Sequence, residues 1–161
     1  MAWIYAQVFA ILTLIASSPE KSLAWGLDEE LYPIGALEAL IEVESCGRED
    51  ARKGKFHGLL QMSPIYLSEV GRAPDDVMHR YGAIAAFFAM QRKYRVRRKG
   101  LSELAIPIFH KGGAGVWARW RQYVSAGHSE SRALSMLKNP GLEAFLKKYE
   151  KARSGNAHWC K

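Results

Sequence analysis

Residues 33–46, which read PIGALEALIEVESC, indicate the fold class because they form the most clearly delimited helix of the chain. Pro33 suits the first position of a helix, and Gly47 suits the position just beyond its end. Three apolar residues repeat with helical spacing and form a stripe on one side: Leu37, Leu40 and Ile41. We therefore predict a helix over residues 33–46 that buries this stripe in a core.

The next position along the stripe is Glu44, an acid where the pattern predicts an apolar residue. Burial would favour the neutral form of its carboxyl and raise its pKa above the ordinary value of about 4.3. A carboxyl that is protonated near neutral pH is what a general acid needs. The alternative is that Glu44, close to the helix end, turns to the surface or pairs with an arginine. Glu38 and Glu42 share another face, at spacing i, i+4, where water can solvate them.

Helical patterns dominate the rest of the chain. Residues 48–62 lack periodicity and are rich in charge and glycine, which predicts a loop or a short hairpin. Further helices are predicted after Ser63-Pro64, over 76–98, from Ser102 to about Phe109, after the glycines of 112–115, from Ser129 to near Asn139, and from Pro140 onward. Ser63 is the predicted cap of the first of these, Ser129 opens the short one, and Asn139 caps the last. The apolar side of the helix over 76–98 includes Val77, Tyr81, Ile84, Phe87, Phe88 and Tyr94. The fold class is therefore mainly α, a single helical domain with a short insert after its first helix.

Length and composition exclude several classes of protein. The chain has 161 residues, 48% of them hydrophobic and 24% charged, which excludes a disordered tail and a polytopic membrane protein and allows about one domain. The formal net charge of +7 favours anionic partners such as nucleic acid, membrane headgroups or acidic wall polymers, without choosing among them.

The first segment indicates export. Residues 3–16 read WIYAQVFAILTLIA, an uncharged run that is shorter than the roughly 20 residues of a spanning helix and suits a signal peptide. Small residues, Ser22 and Ala24, precede a predicted cleavage site before Trp25. We therefore predict a signal peptide over residues 1–24 and a working domain over 25–161 in the periplasm or outside the cell, with no membrane span after cleavage. An uncleaved N-terminal anchor is the alternative.

Export changes what the two cysteines indicate, because Cys46 and Cys160 can oxidise outside the cytoplasm. A bridge closing so long a loop would contribute about 4 kcal/mol in the chain-entropy model. Two unpaired thiols are the alternative.

Three short segments follow one another along the chain: Glu44-Ser45 at a helix end, GLLQMSP over 58–64, and IFHKGGAG over 108–115. This order resembles the soluble lytic transglycosylase family, which has the lysozyme-like α+β fold also found in goose-type lysozymes. In that family a Glu-Ser pair ends a helix, a Gly-Leu-Met-Gln-like segment follows, and a Tyr-Asn-Ala-Gly-like segment closes the site. The resemblance covers roughly residues 33–120.

The resemblance implies a role for each matched residue. Glu44 would be the catalytic acid and base, with Ser45 and Ser63 supporting the acid and the neighbouring backbone. Leu60, Gln61 and Met62 would line the sugar-binding cleft.

The third segment departs from the family, in which Tyr and Asn are usual where this chain has Phe109 and His110. Both residues stay candidates for substrate binding. Phe109 lacks the hydroxyl of Tyr, and His110 adds a group that titrates near neutral pH.

The implied activity is cleavage of the β-1,4 bond between N-acetylmuramic acid and N-acetylglucosamine in peptidoglycan, with a 1,6-anhydro product. Glycosidases usually need a second carboxylate. Glu49 and Asp50 lie in the polar loop, where acids are usually solvated. One acid suffices if the substrate's own N-acetyl group stabilises the developing charge. The alternatives are a muramidase that hydrolyses the same bond, a non-catalytic wall-binding protein and a cationic membrane-active protein.

The expected partner is therefore peptidoglycan, and a secretion or conjugation apparatus or phage lysis are open contexts. The basic run RKYRVRRK over 92–99 suits a helix C-terminus, and no nucleic-acid module accompanies it. The histidines lack metal-ligand spacing, so we expect no metal and no cofactor.

Overall fold

The computed structural model describes residues 34–96 and 101–160, in which the chain is mainly helical. No helix in these two ranges is long and apolar enough to cross a membrane. The predicted signal peptide over residues 1–24 and part of the basic run over 92–99 lie outside the described residues.

The described residues form helices, one two-stranded antiparallel hairpin and one short 3-10 helix. In chain order these are α1 (Ile34–Ser45), β1 (Arg52–Lys53), β2 (Phe56–His57), α2 (Pro64–Ser68), the 3-10 helix (Pro74–Val77), α3 (Arg80–Lys93), α4 (Ala105–Ser125), α5 (Glu130–Met136) and α6 (Pro140–Arg153).

The first helix and the insert after it follow the prediction. The apolar stripe of α1 is buried, with Leu40 and Ile41 at most 1% exposed. The helix ends where Cys46 and Gly47 adopt left-handed backbone, with φ of 53° and 79°, because such residues turn the chain away from the helix axis. Of the loop and the short hairpin that were the alternatives for residues 48–62, the structure has the hairpin, β1–β2, which pairs Arg52 with His57 and Lys53 with Phe56.

The predicted helix over residues 76–98 is wrong in its extent, because α3 is shorter. A separate 3-10 helix precedes it, in which the Asp76 carboxylate accepts a hydrogen bond of 2.7 Å from the Ala73 amide. At the other end Arg95 has φ of 48°, and the Val96 amide donates to the Gln91 carbonyl at 3.0 Å. This arrangement is a Schellman motif, which terminates a helix without glycine at a modest conformational cost.

The predicted break at the glycines of residues 112–115 is confirmed. Within α4 the backbone is not helical at Gly113, where φ is 73° and ψ is −180°, so α4 consists of two helical stretches joined at a kink. The first stretch runs a few residues beyond the predicted end near Phe109. Pro107 does not break α4 because it lies in the first turn, where a missing amide hydrogen removes no intrahelical bond. Ser102 does not cap the helix directly, but its hydroxyl accepts a hydrogen bond from the Leu104 amide at 3.2 Å.

The predicted caps of the shorter helices are confirmed. In each case the side-chain oxygen accepts a hydrogen bond from the amide three residues later, which satisfies a donor that the helix leaves unpaired. The pairs are Ser63 with Tyr66 at 3.2 Å, Ser129 with Arg132 at 3.3 Å, and Asn139 with Leu142 at 3.0 Å.

The described residues fall into two compact units. The first comprises residues 44–90, and its most deeply buried apolar residues include Leu59, Leu60, Met62, Leu67, Val77, Ala83 and Phe87. The second comprises residues 34–43, 91–96 and 101–160, and in it α4 packs against α5 and α6. Its most deeply buried residues include Leu40, Ile41, Ile106, Ile108, Phe109, Trp120 and Tyr149.

The chain's two cysteines, Cys46 and Cys160, are both disulfide-bonded. The sulfur of Cys160 also lies 3.4 Å from the backbone carbonyl oxygen of Glu42.

Candidate active site

Glu44 lies in the last turn of α1 and is half-buried. The next residue, Ser45, is 4% exposed. Its carbonyl accepts hydrogen bonds from the backbone amide of Arg48 at 3.2 Å and from the Arg48 guanidinium at 3.4 Å. These hydrogen bonds fix the end of the helix. The Glu44 carboxyl in this last turn is neither enclosed in the core nor fully solvated.

The other two acids of α1 contradict the prediction that water solvates them. Glu38 is half-buried, and its Oε1 atom is buried without a hydrogen-bond partner. Burial raises the pKa of Glu38, and the nearby Arg153 guanidinium opposes this by lowering it. Burial also raises the pKa of Glu42. An isolated helical pattern places these acids on a polar face, but neighbouring chain segments partly cover that face.

The segment after the hairpin folds back on β2. His57 and Met62 exchange backbone hydrogen bonds of 3.0 and 2.9 Å, and the Gly58 amide donates to the Ala51 carbonyl at 2.8 Å. Gly58 has φ of 72°, and a Cβ atom built on it would lie 2.1 Å from the Val77 carbonyl oxygen. No side chain fits at position 58 unless the backbone at Val77 moves.

Gln61 fixes this segment through its side chain. Its Nε2 atom donates to the Ala51 carbonyl at 2.9 Å and to the Gly58 carbonyl at 2.8 Å. Gln61 itself has φ of 47°, a left-handed conformation that is uncommon for residues other than glycine. Both hydrogens of the Gln61 side-chain amide thus bind backbone carbonyls of the protein, so a ligand would meet the side-chain carbonyl oxygen of Gln61.

Leu60 and Met62 do not offer the sugar-lining surface that the family resemblance implies. Leu60 is 0% exposed and Met62 is 1% exposed. Their side chains belong to the core beneath the segment because both alternate positions around Gln61 point inward. Between Gly58 and Met62 only Gln61 is not fully buried, while Ser63 caps α2.

The third predicted segment lies in the second unit, within α4. Phe109 is 1% exposed, and its ring centroid lies 5.1 Å from that of Tyr94 and 5.8 Å from that of Trp117. It is therefore a core aromatic residue, and its side chain offers no surface for a sugar. His110 follows it and is half-buried.

The two acids of the insert, Glu49 and Asp50, differ in their surroundings. Both carboxylate oxygens of Glu49 bind Arg80: one accepts from its backbone amide at 3.0 Å and the other from its Nε atom at 3.1 Å. Glu49 therefore holds the start of α3. Asp50, beside it, is exposed.

The second unit also contains a polar cluster that the sequence did not indicate. Glu103 accepts hydrogen bonds from the Tyr149 hydroxyl at 2.7 Å and from Nε and Nη2 of Arg153 at 2.6 and 2.8 Å. Beside it, the Ser102 hydroxyl donates to Glu130. These residues line an open groove of about 580 Å³. The polar groups of this cluster hydrogen-bond to one another. The cluster is therefore best explained as holding the start of α4 against the end of α6.

Within residues 34–96 and 101–160, no cluster of His, Cys, Asp and Glu could hold a metal ion. Comparisons with models of protein families, with curated proteins and with solved structures found no match for this chain.

Proposed function

We propose that this protein is a peptidoglycan lytic transglycosylase of lysozyme-like fold with Glu44 as its general acid and base. The observation that carries the proposal is the position of Glu44, a half-buried carboxyl at the end of a helix whose other stripe residues are buried. A second support is the hydrogen-bonded segment of residues 57–63 in the same unit, which resembles the Gly-Leu-Met-Gln-like segment that follows such an acid in that family.

A single carboxyl can serve as both the acid and the base of this cleavage reaction. Glu44 first donates its proton to the glycosidic oxygen as the bond from that oxygen to C1 of the muramyl sugar breaks, and the sugar's N-acetyl group stabilises the positive charge at C1. The Glu44 carboxylate then takes the proton of the same sugar's 6-hydroxyl, whose oxygen forms a new bond to C1. The product is a 1,6-anhydro sugar, the acid is regenerated, and no water is consumed.

The engagement of Glu49 favours this one-acid chemistry over a two-carboxylate mechanism. A nucleophile or base must approach the sugar with free oxygens, whereas both oxygens of Glu49 bind Arg80. If water replaced the 6-hydroxyl as the acceptor of the glycosyl group, the same acid would give a muramidase. A muramidase would use the same acid and differ from the transglycosylase in its product, which would carry a reducing end.

A non-catalytic wall-binding protein is the second candidate, and the burial of Phe109 favours it. The family's Tyr offers a hydroxyl near the acid or the sugar, whereas Phe109 has none and lies between two core aromatic rings. Binding without cleavage would then depend on the surface of the protein rather than on Glu44.

The biological setting is also a proposal. Export through the N-terminal segment would place the enzyme at its substrate, in the periplasm or outside the cell. The net charge of +7 suits an acidic wall. Local opening of the wall for a secretion or conjugation apparatus, or during phage lysis, would use the same reaction.

The test is digestion of purified peptidoglycan, followed by mass analysis of the released fragments. We compare the unaltered protein with Glu44→Gln and with the matched control Glu42→Gln, which changes another half-buried acid of α1. Glu44→Gln should lower the rate by about 10²- to 10⁴-fold because it removes the proton donor. Glu42→Gln should keep most of the activity.

The fragments distinguish the candidates. Anhydro products, each lighter by one water than a reducing end, support the transglycosylase, and reducing ends alone would show a muramidase. Full activity of Glu44→Gln would remove Glu44 from the mechanism. Binding without release of fragments by either protein would favour the wall-binding candidate.

A further inference from the structure

The hairpin β1–β2 has an exposed aromatic residue among cations. Phe56 is 39% exposed, and Arg52, Lys53 and Lys55 are also exposed. The Lys55 Nζ atom lies 5.9 Å from the centroid of the Phe56 ring. The exposed part of the Phe56 ring therefore lies beside cationic side chains on the surface of the hairpin.

The register of the hairpin places Lys53 and Phe56 on one face. These two residues are directly opposite each other, as are Arg52 and His57 on the other face. On that other face Arg52 is exposed and His57 is half-buried, whereas Lys53 and Phe56 are both exposed. The face with Lys53 and Phe56 is the outer one.

The hairpin is a rigid support for this face. Its two-residue turn has Gly54 with φ of 60°, as type II′ turns require. Behind the hairpin, the ladder to Met62 and the hydrogen bonds of Gln61 fix it to the segment 57–63. The hairpin therefore lies next to the segment that forms part of the proposed cleft.

The charge balance of the hairpin selects an anionic partner. Over residues 50–57 three cations face one acid, Asp50. The other nearby carboxylate, that of Glu49, is already paired with Arg80 at 3.1 Å. A partner that fits must carry both carboxylates, for the lysines, and an apolar face, for the aromatic ring.

We infer that the outer face of the hairpin, formed by Lys53 and Phe56, together with Lys55 of its turn, binds glycan strands that carry their peptide stems. The carboxylates of the stems pair with the two lysines, and the carbon–hydrogen face of a sugar ring packs on Phe56. This inference rests on the proposed function for the identity of the polymer. It adds a preference for peptide-bearing strands over bare ones.

The test measures binding and does not need cleavage. Glu44→Gln protein is sedimented with insoluble peptidoglycan, either native or with its carboxylates converted to methylamides. In this background, Lys53→Gln combined with Lys55→Gln should weaken binding to native peptidoglycan by about two- to thirtyfold, since each exposed ion pair contributes modestly. The same change should leave binding to the amidated polymer unaltered.

Two further variants test the contribution of the aromatic ring and the effect of net charge. Phe56→Ala should weaken binding to both polymers by a similar factor, about two- to tenfold, because it removes the stacking surface and no charge. The matched control is Lys147→Gln combined with Lys148→Gln, which removes two exposed charges from α6. It should bind native peptidoglycan as the parent does.

Equal losses in the hairpin and control variants would overturn the inference, because net charge alone would then explain binding. It would also fail if amidation changed nothing, or if the hairpin variants lost binding to anionic phospholipid vesicles and not to peptidoglycan. If the unaltered protein released no fragments while hairpin-dependent binding persisted, the proposed activity would fail and the docking surface would stand.

Discussion

Replacing Gly58 with alanine should destabilise the protein more than any other glycine-to-alanine change in the hairpin region. The added Cβ atom would lie 2.1 Å from the Val77 carbonyl oxygen and 3.0 Å from the Val77 carbonyl carbon. Real Cβ contacts do not fall below 3.0 Å, so the backbone must separate by at least about 0.9 Å. Val77 is fully buried, which makes such a movement expensive.

The magnitude follows from two contributions. A left-handed conformation costs alanine about 1 kcal/mol relative to glycine. Displacement of packed backbone adds a further penalty, and we expect a total loss of about 2–4 kcal/mol in the free energy of unfolding. For a domain of this size that corresponds to a fall in Tm of roughly 6–12 °C.

Gly54→Ala is the matched control because Gly54 has φ of 60° but no atom within 4 Å of its added Cβ. It should lose about 1 kcal/mol, the conformational cost alone. Urea denaturation followed by circular dichroism measures both variants. Equal losses would refute the reasoning, since they would show that the approach of Val77 to Gly58 does not constrain this position.

Two further predictions concern the second unit. Glu103→Ala should lower the free energy of unfolding by about 1–3 kcal/mol because the buried Tyr149 hydroxyl loses its acceptor. Arg153→Ala should cost less than about 1 kcal/mol since Tyr149 keeps that acceptor; equal losses in urea denaturation would contradict this. Glu38→Gln should stabilise the protein at pH 7. The raised pKa of Glu38 means that the folded state binds its proton more tightly, so stability is lost as pH rises from the ordinary value of 4.5 through the folded pKa. The difference in Tm between Glu38→Gln and the parent should shrink toward zero below pH 4.5, and a constant difference at all pH values would show that charge is not the cause.

Local signals predicted the elements of this chain well where a helix or turn depends on neighbouring residues. The side-chain caps at Ser63, Ser129 and Asn139 lie where the sequence places them, since a cap needs only a side-chain oxygen and an amide three residues away. For residues 48–62 the missing periodicity and the glycines indicated a loop or a short hairpin, and Gly54 permits the left-handed turn of the hairpin that forms.

Features that depend on distant parts of the chain could not be predicted. The bond from Glu49 to Arg80 spans 31 residues, and it decides that Glu49 is structural. Tyr81 illustrates the same limit: helical spacing assigned it to the apolar side of α3, yet it is 49% exposed. Periodicity gives the face of a helix, and which parts of that face are covered depends on the tertiary structure.

The burial of Leu60 and Met62 and the bonds of Gln61 together change what the segment 58–63 indicates. A left-handed conformation at Gln61 costs roughly 1 kcal/mol relative to glycine, and two hydrogen bonds from its amide offset that cost. Glutamine is therefore explained at this position without any sugar, because glycine would adopt the conformation but could not link Ala51 to Gly58. The likeness of this segment to a glycosidase motif is thus partly a likeness of folding requirements. For this reason the catalytic proposal depends on Glu44 rather than on this segment, and the comparison of Glu44→Gln with Glu42→Gln is the measurement that decides it.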